Sequence, residues 1–194
     1  MRIGIDISQL AYEGTGVGNY LKNLVEELVN IDSKNEYVLF FSSMRKKFQI
    51  SNFPDGSFHS GSRTNEIRRD NFQSNSNVKI KAYRFPPTLL DFLWNRMHVL
   101  PIERLIGDVD VFISSDWTQA PTKKAKKATI LYDLIVYKYP KETDKKIVET
   151  QKRKLKWVKE ECDLVFCISE ATKRDAMEVL GIEEKKLKVI YPGI

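Results

Sequence analysis

The chain has 194 residues, 42% of them hydrophobic and 30% charged, with a formal net charge of +6. That is the size of one domain able to bury its own core, and the balance of apolar and charged residues excludes a disordered chain. No apolar run reaches the roughly 18 residues that span a bilayer, and the opening MRIGIDISQL lacks the apolar length and cleavage site of a secretory signal, so a cytoplasmic protein is expected.

Arg2 to Ile7 (RIGIDI) is short and apolar, a buried strand. Gly14, Gly16 and Gly18 follow. Val17, Tyr20, Leu21, Leu24, Val25, Leu28 and Val29 then recur at helical spacing, which predicts an amphipathic helix. Residues 37–41 (YVLFF) form a second buried strand. Strand, loop, helix, strand is the pattern of a parallel sheet with crossover helices. From 42 to 77 the pattern fades into Ser, Asn, Gly and charge around Phe48, Ile50, Phe53 and Phe58, and a flexible excursion with room for one short element is expected.

Periodicity returns at 78–85 (VKIKAYRF), a strand. Residues 86–107 read as helix in two pieces, broken at Pro101. A strand is expected at 109–115, and 128–137 (ATILYDLIVY) begins as another. Asp144 to Glu161 is a long basic helix with Ile147, Val148, Leu155, Trp157 and Val158 as apolar contacts. A strand at 163–169 leads into a helix with Ser169 as N-cap, Glu170 in its first turn and Gly181 as its stop. Residues 186–194 (KLKVIYPGI) read as a last strand. About seven strands alternating with helices predict a doubly wound α/β fold with a mostly parallel sheet. Ligands in such folds sit at the carboxyl ends of strands. Here those ends are Asp6–Ser8, Ser114–Trp117, Tyr132–Asp133 and Ser169–Glu170, with the glycine loop on the same rim.

The positive charge is concentrated at 123–127 (KKAKK) and 141–159. Such runs attract anionic lipid or phosphorylated ligands, or form a solvated face. Aromatic residues do not interleave with them as a stacking platform requires, so no nucleic-acid partner is expected. Cys162 and Cys167 are too few for structural zinc and read as buried free thiols. His59 and His98 offer little for metal binding. No nucleophile-elbow pattern is present.

The glycine loop reads G-x-G-x-G, with Asn19 where a dinucleotide fingerprint needs its third glycine, and no G-K-[ST] follows. That counts against a nicotinamide- or flavin-dependent oxidoreductase and against a P-loop. Glycines still let backbone approach a ligand, and the first-turn amides of a helix favour an anion. A phosphate contact and a plain tight turn both fit the loop.

Three stretches, GTGVGNYLKNLVEEL, ATILYDLIVYKYPKE and CISEATKRDAMEVLGIEEKKLKVIYPGI, resemble in order and spacing the N-terminal half of group 1 glycosyltransferases, the GT4 family with a GT-B fold. FISSDWTQAP (112–121) fits the acceptor-side loop of that family. The resemblance covers nearly the whole chain except 42–77. It implies retaining, metal-free and cofactor-free transfer of a sugar from a UDP- or GDP-linked donor to a glycan or lipid-linked acceptor, between two Rossmann-like domains that face across a cleft. Residues 1–194 would be the N-terminal, acceptor-side domain. Ile194 falls where the linker to the nucleotide-sugar domain is expected, so the isolated domain is expected to fold alone and to be inactive.

Carried over by position, Gly14, Thr15, Gly16, Val17, Gly18 and Asn19 match the loop that approaches the donor diphosphate. Tyr132 and Asp133 stand where many members have His-Asp. A tyrosine there donates a hydrogen bond but, with an ordinary pKa near ~10, is a poor base. Asp133 orients the loop or the acceptor hydroxyl, or caps a strand end. Asp116 and Trp117 fall on the acceptor side, where the indole stacks on a sugar or packs in the core. Ser169 and Glu170 contact substrate or cap a helix. Leu89 to Trp94 with the basic helix 145–159 would rest on the inner membrane surface, as in members that use lipid-linked acceptors, or pack and be solvated. The competing class is a non-catalytic α/β domain that binds a nucleotide or partner. Asp6 mimics one feature of receiver-like domains, but no acidic cluster with a matching lysine is evident.

Overall fold

The computed structural model describes residues 1–12, 14–44 and 77–192. The strands are β1 (Arg2–Asp6), β2 (Glu36–Ser42), β3 (Val78–Tyr83), β4 (Val111–Ser114), β5 (Lys126–Leu131), β6 (Leu164–Cys167) and β7 (Leu187–Val189). They form one sheet in the order β3-β2-β1-β4-β5-β6-β7, every neighbouring pair parallel. The chain steps outward from β1 to β3, returns to the middle at β4, and steps out the other way to β7. The fold is therefore a doubly wound, Rossmann-like α/β sheet. Its order reverses between β1 and β4, the point where such sheets open a crevice at their carboxyl ends.

Helices cover both faces. The main ones are α1 (Gly16–Ile31), α2 (Pro87–Leu90) running into a π-helical turn (Asp91–Arg96), α3 (Glu103–Ile106), α4 (Ile135–Lys138), α5 (Lys145–Glu161) and α6 (Glu170–Leu180). Strand β2 shows why its sequence is a continuous apolar run. Tyr37, Leu39 and Phe41 pack under α1 with Leu21, Val25 and Val29, whereas Val38 and Phe40 point the other way, onto Trp94, Ile102 and Ile106. A third cluster joins Val165, Cys167 and Leu187 to Leu155 and Val158 of α5 and Ala176 and Leu180 of α6. Both cysteines are free and buried, as expected; burial pushes the Cys162 thiol up to about 12 and Cys167 to about 11.

Local chemistry sets the helix ends. Asp144 caps α5 by accepting from the amides of Lys146 and Ile147. Ser169 caps α6, and Gly181, at φ 65°, ends it with Gly181 N–H on Met177 O and Ile182 N–H on Ala176 O.

Four expectations are corrected. The strand expected to begin at 128 starts at Lys126 and stops at Leu131, because the Asp133 carboxylate accepts the Ile135 amide at 3.0 Å and turns the chain into α4. The last strand covers only Leu187–Val189; its neighbour β6 is four residues long, and a 3-10 turn (Glu184–Lys186) precedes it. The helical break is wider than Pro101, since the π-helical turn ends at Arg96 and His98 and Leu100 adopt positive φ. A 3-10 turn at Ser8–Ala11, read from the sequence as loop, follows β1. The excursion expected at 42–77 lies, from 45 to 76, outside the described residues, as do His59 and residues 193–194.

Candidate functional site

The glycines of the loop after β1 have different reasons to be glycine. Gly14 adopts φ +74°, a region costly for other residues. Gly18 is buried; a Cβ there would lie 2.9 Å from Thr15 Oγ1 and 3.1 Å from Tyr12 O. Thr15 caps α1, its hydroxyl accepting from Gly18 N–H at 3.1 Å and donating to Tyr12 O at 3.0 Å. The first intrahelical bond runs from Asn19 N–H to Thr15 O. The amides of Gly16 and Val17 precede it and have no helical partner. Gly16 needs neither a left-handed backbone nor a close approach: a Cβ there meets nothing within 4 Å among the described residues. Thr15, Gly16 and Asn19 are exposed, and Val17 packs partly on the core.

Tyr20 fastens this loop to its neighbours. Its ring meets Tyr132 edge-on, centroids 5.6 Å apart, and its hydroxyl donates to Ile190 O at 3.1 Å. Thr172 Oγ1 donates to Tyr132 O at 3.0 Å, while Ser169 Oγ accepts from Thr172 N–H at 3.1 Å. The glycine loop, Tyr132 and Ser169 therefore share one rim. Tyr132 is 7% exposed, and its hydroxyl is buried with no hydrogen-bond partner among the described residues. Burial, then the charges of Asp116, Tyr20 and Asp6, push its phenol up, so it stays a protonated donor. Asp133 is exposed and forms the turn described above. Ser169 serves as a cap, and Glu170 is exposed in the first turn of α6.

The loop after β4 is clamped from inside. Asn95 donates to Trp117 O and accepts from Gln119 N–H, both at 2.9 Å. Trp157 Nε1 donates to Asn95 O at 2.8 Å. Trp117 is half-buried. Gln151 Nε2 on α5 reaches Asp116 O at 3.1 Å and Asp116 Oδ1 at 3.3 Å. One turn further along the same helix face stands Lys154, only 1% exposed. Burial lowers the Lys154 ammonium against the opposing pull of Asp116, Cys162 and Asp6. Asp6, at the end of β1, is 4% exposed and accepts Ser8 N–H at 2.9 Å. Burial raises both carboxylates; Ser8 and Lys154 oppose it at Asp6, and Lys154 and Gln151 at Asp116, where Asp133 adds to the rise.

Asp6 and Asp116 thus flank the switch point between β1 and β4. The fold assembles the carboxylates with a lysine, which the sequence did not make evident. Lys154 was hidden among the lysines of a basic helix. Its register with Gln151, Leu155 and Val158, on the inward stripe, was the signal available. Leu89 and Phe92 are exposed while Leu90 and Trp94 turn inward. No described helix is long and apolar enough to cross a membrane. Among the described residues, no group of three or more His, Cys, Asp or Glu side chains is placed to hold a metal ion.

The chain matches the family model described as Glycosyltransferase Family 4 over residues 14–194, a span that opens at the first glycine of the loop. No curated protein matches it.

Proposed function

The chain belongs to glycosyltransferase family 4, and on that premise we propose that it forms the acceptor-side domain of a retaining transferase. The reaction moves a hexosyl group from a UDP- or GDP-sugar to a glycan or lipid-linked acceptor, and a second, nucleotide-binding domain faces this one. The observation that carries the reading is the shared rim: Tyr20 of α1, the helix that Gly16 opens, packs edge-on against Tyr132, with Asp6 and Asp116 at the switch point.

The chemistry follows from that placement. The bond from the sugar's anomeric carbon to the diphosphate oxygen breaks, and a bond to the acceptor oxygen forms on the same face. The departing diphosphate gains charge, and the amides of Gly16 and Val17 with the α1 dipole stabilise it. Such donors aid the step because they bind the transition state more strongly than the ground state. Tyr132, held protonated, donates a hydrogen bond and takes no proton; the acceptor proton passes to the departing diphosphate oxygen. Calorimetry and a transfer assay on the full-length protein with a set of UDP- and GDP-sugars test the reading. Binding and consumption of one of them is expected. A full-length protein that neither binds nor consumes any of them overturns it.

A further inference from the structure

We propose that Asp116, together with its buried neighbours Tyr132 and Lys154, forms a subsite for an uncharged hydroxyl pair of the acceptor sugar; the inference rests on the glycosyl-transfer reading.

The Tyr132 hydroxyl is the first observation. It is buried, has no hydrogen-bond partner among the described residues, and has Asp116, Tyr20 and Asp6 as electrostatic neighbours. A buried hydroxyl without a partner destabilises a fold, and phenylalanine in the same volume removes that cost. The hydroxyl therefore adds nothing to the packing of the Tyr132 ring against Tyr20 of α1. Lys154 is the second observation. No ion pair among the described residues includes it, although its side chain is almost wholly out of water. A lysine serving only to fill space is readily replaced by an apolar residue. Its electrostatic neighbours are the two carboxylates that flank the crevice.

The charges select the ligand. Asp6 and Asp116 disfavour a phosphate or a uronate, and Lys154 disfavours an ammonium group. A sugar diol fits both signs, because each hydroxyl donates to a carboxylate and accepts from a phenol or an ammonium. Asp116 is the member of the group that is only partly buried, and Gln151 Nε2 donates to its Oδ1 at 3.3 Å. Lys154 acts through Asp116 as a positioning residue, by holding its carboxylate ionised.

The test uses the full-length protein, the nucleotide sugar it binds, and three sets of acceptor probes: methyl hexopyranosides, methyl hexuronides and hexose 6-phosphates. Neutral hexosides are expected to accept, or to compete for the acceptor site, at least about tenfold better than either charged set. Tyr132→Phe is expected to keep or raise the melting temperature while kcat/KM for the neutral acceptor falls about tenfold, the scale of one lost hydrogen bond. Lys154→Met is expected to leave calorimetric donor affinity unchanged and to move the acid limb of the kcat/KM profile to higher pH. Asp6, Asp133, Tyr132 and Lys154 are the ionisable groups around Asp116 on the packed elements. Charged probes that serve as well as neutral ones overturn the inference. So do variants that lower the melting temperature with acceptor kinetics and pH profile unmoved. A protein that binds no nucleotide sugar overturns the transfer reading and this one together; normal donor binding with either of the preceding results overturns this one alone.

Discussion

Glu103 and Asp6 are carboxylates of similar burial, 7% and 4% exposed, at opposite ends of one sheet. Glu103 lies below the amino ends of the strands. Its Oε1 accepts from the amides of Lys123, Lys124 and Ala125 at 2.7, 3.1 and 3.3 Å, just before β5 begins. Burial alone would raise it, but its own amide and those three overcome the penalty and hold it below the usual carboxylate range. Asp6 receives one amide, that of Ser8, and burial wins. The amino end uses its buried charge to close a turn. The carboxyl end keeps a carboxylate, a lysine and a phenol short of partners inside the protein. The amino end uses its charge for stability, and the carboxyl end, where open α/β sheets bind their ligands, is where the acceptor subsite is proposed.

The sharpest way to break this contrast is at Glu103. Glu103→Leu leaves three amides without an acceptor and should lower unfolding stability by roughly 3 kcal/mol, read from the urea midpoint at constant m. The effect has a pH signature. Since the folded value lies below the unfolded one, the stabilisation is present above the ordinary glutamate range. It disappears as pH falls through the lowered value. The gap between wild type and Glu103→Leu should therefore narrow in acid. An equal gap at neutral and acid pH would mean that Glu103 stabilises by packing rather than by its charge.

The same contrast explains what could be read in advance. Strand β2 was legible because burial on both faces leaves one unbroken apolar run, Tyr37 to Phe41. The helix α6 was legible because Ser169 and Gly181 are local signals acting within one turn. The end of β5 was not, since an apolar stretch running through Tyr132 to Tyr137 reads as strand until Asp133 is seen to bond the Ile135 amide. Lys154 was not legible as a buried charge, because the carboxylates that oppose its burial penalty, Asp116 and Asp6, arrive from distant parts of the chain. Local rules recover elements and caps. They do not recover meetings across the sheet, and the candidate site is made of such meetings.

Within the rim itself, the loop before α1 divides in the same way. Gly18→Ala pushes a Cβ to 2.9 Å from Thr15 Oγ1 and 3.1 Å from a backbone oxygen that cannot swing away. A loss of about 2 kcal/mol is expected, the scale of local overpacking. Thr15→Ala removes the cap on the same amide and should cost about 1 kcal/mol. Chemical denaturation of both variants orders them. If Thr15→Ala were the more damaging, the cap rather than the close packing of Gly18 would be what holds α1 to the rim.

Gly16→Ala should have the smallest effect on stability, and it separates the two roles of the loop. A methyl group at this position meets none of the described residues within 4 Å, and its φ is not in the left-handed region. Alanine is at least as good a helix former as glycine, so the unfolding midpoint should stay within about 0.5 kcal/mol of wild type or rise slightly. The methyl group nevertheless takes up open space in the first turn of α1, where the donor diphosphate is proposed to lie. In the full-length protein, affinity for the nucleotide sugar should fall several-fold while the fold is unharmed. Unchanged stability with unchanged donor affinity would leave Gly16 with no ligand near it. The diphosphate would then have to be held elsewhere on the rim.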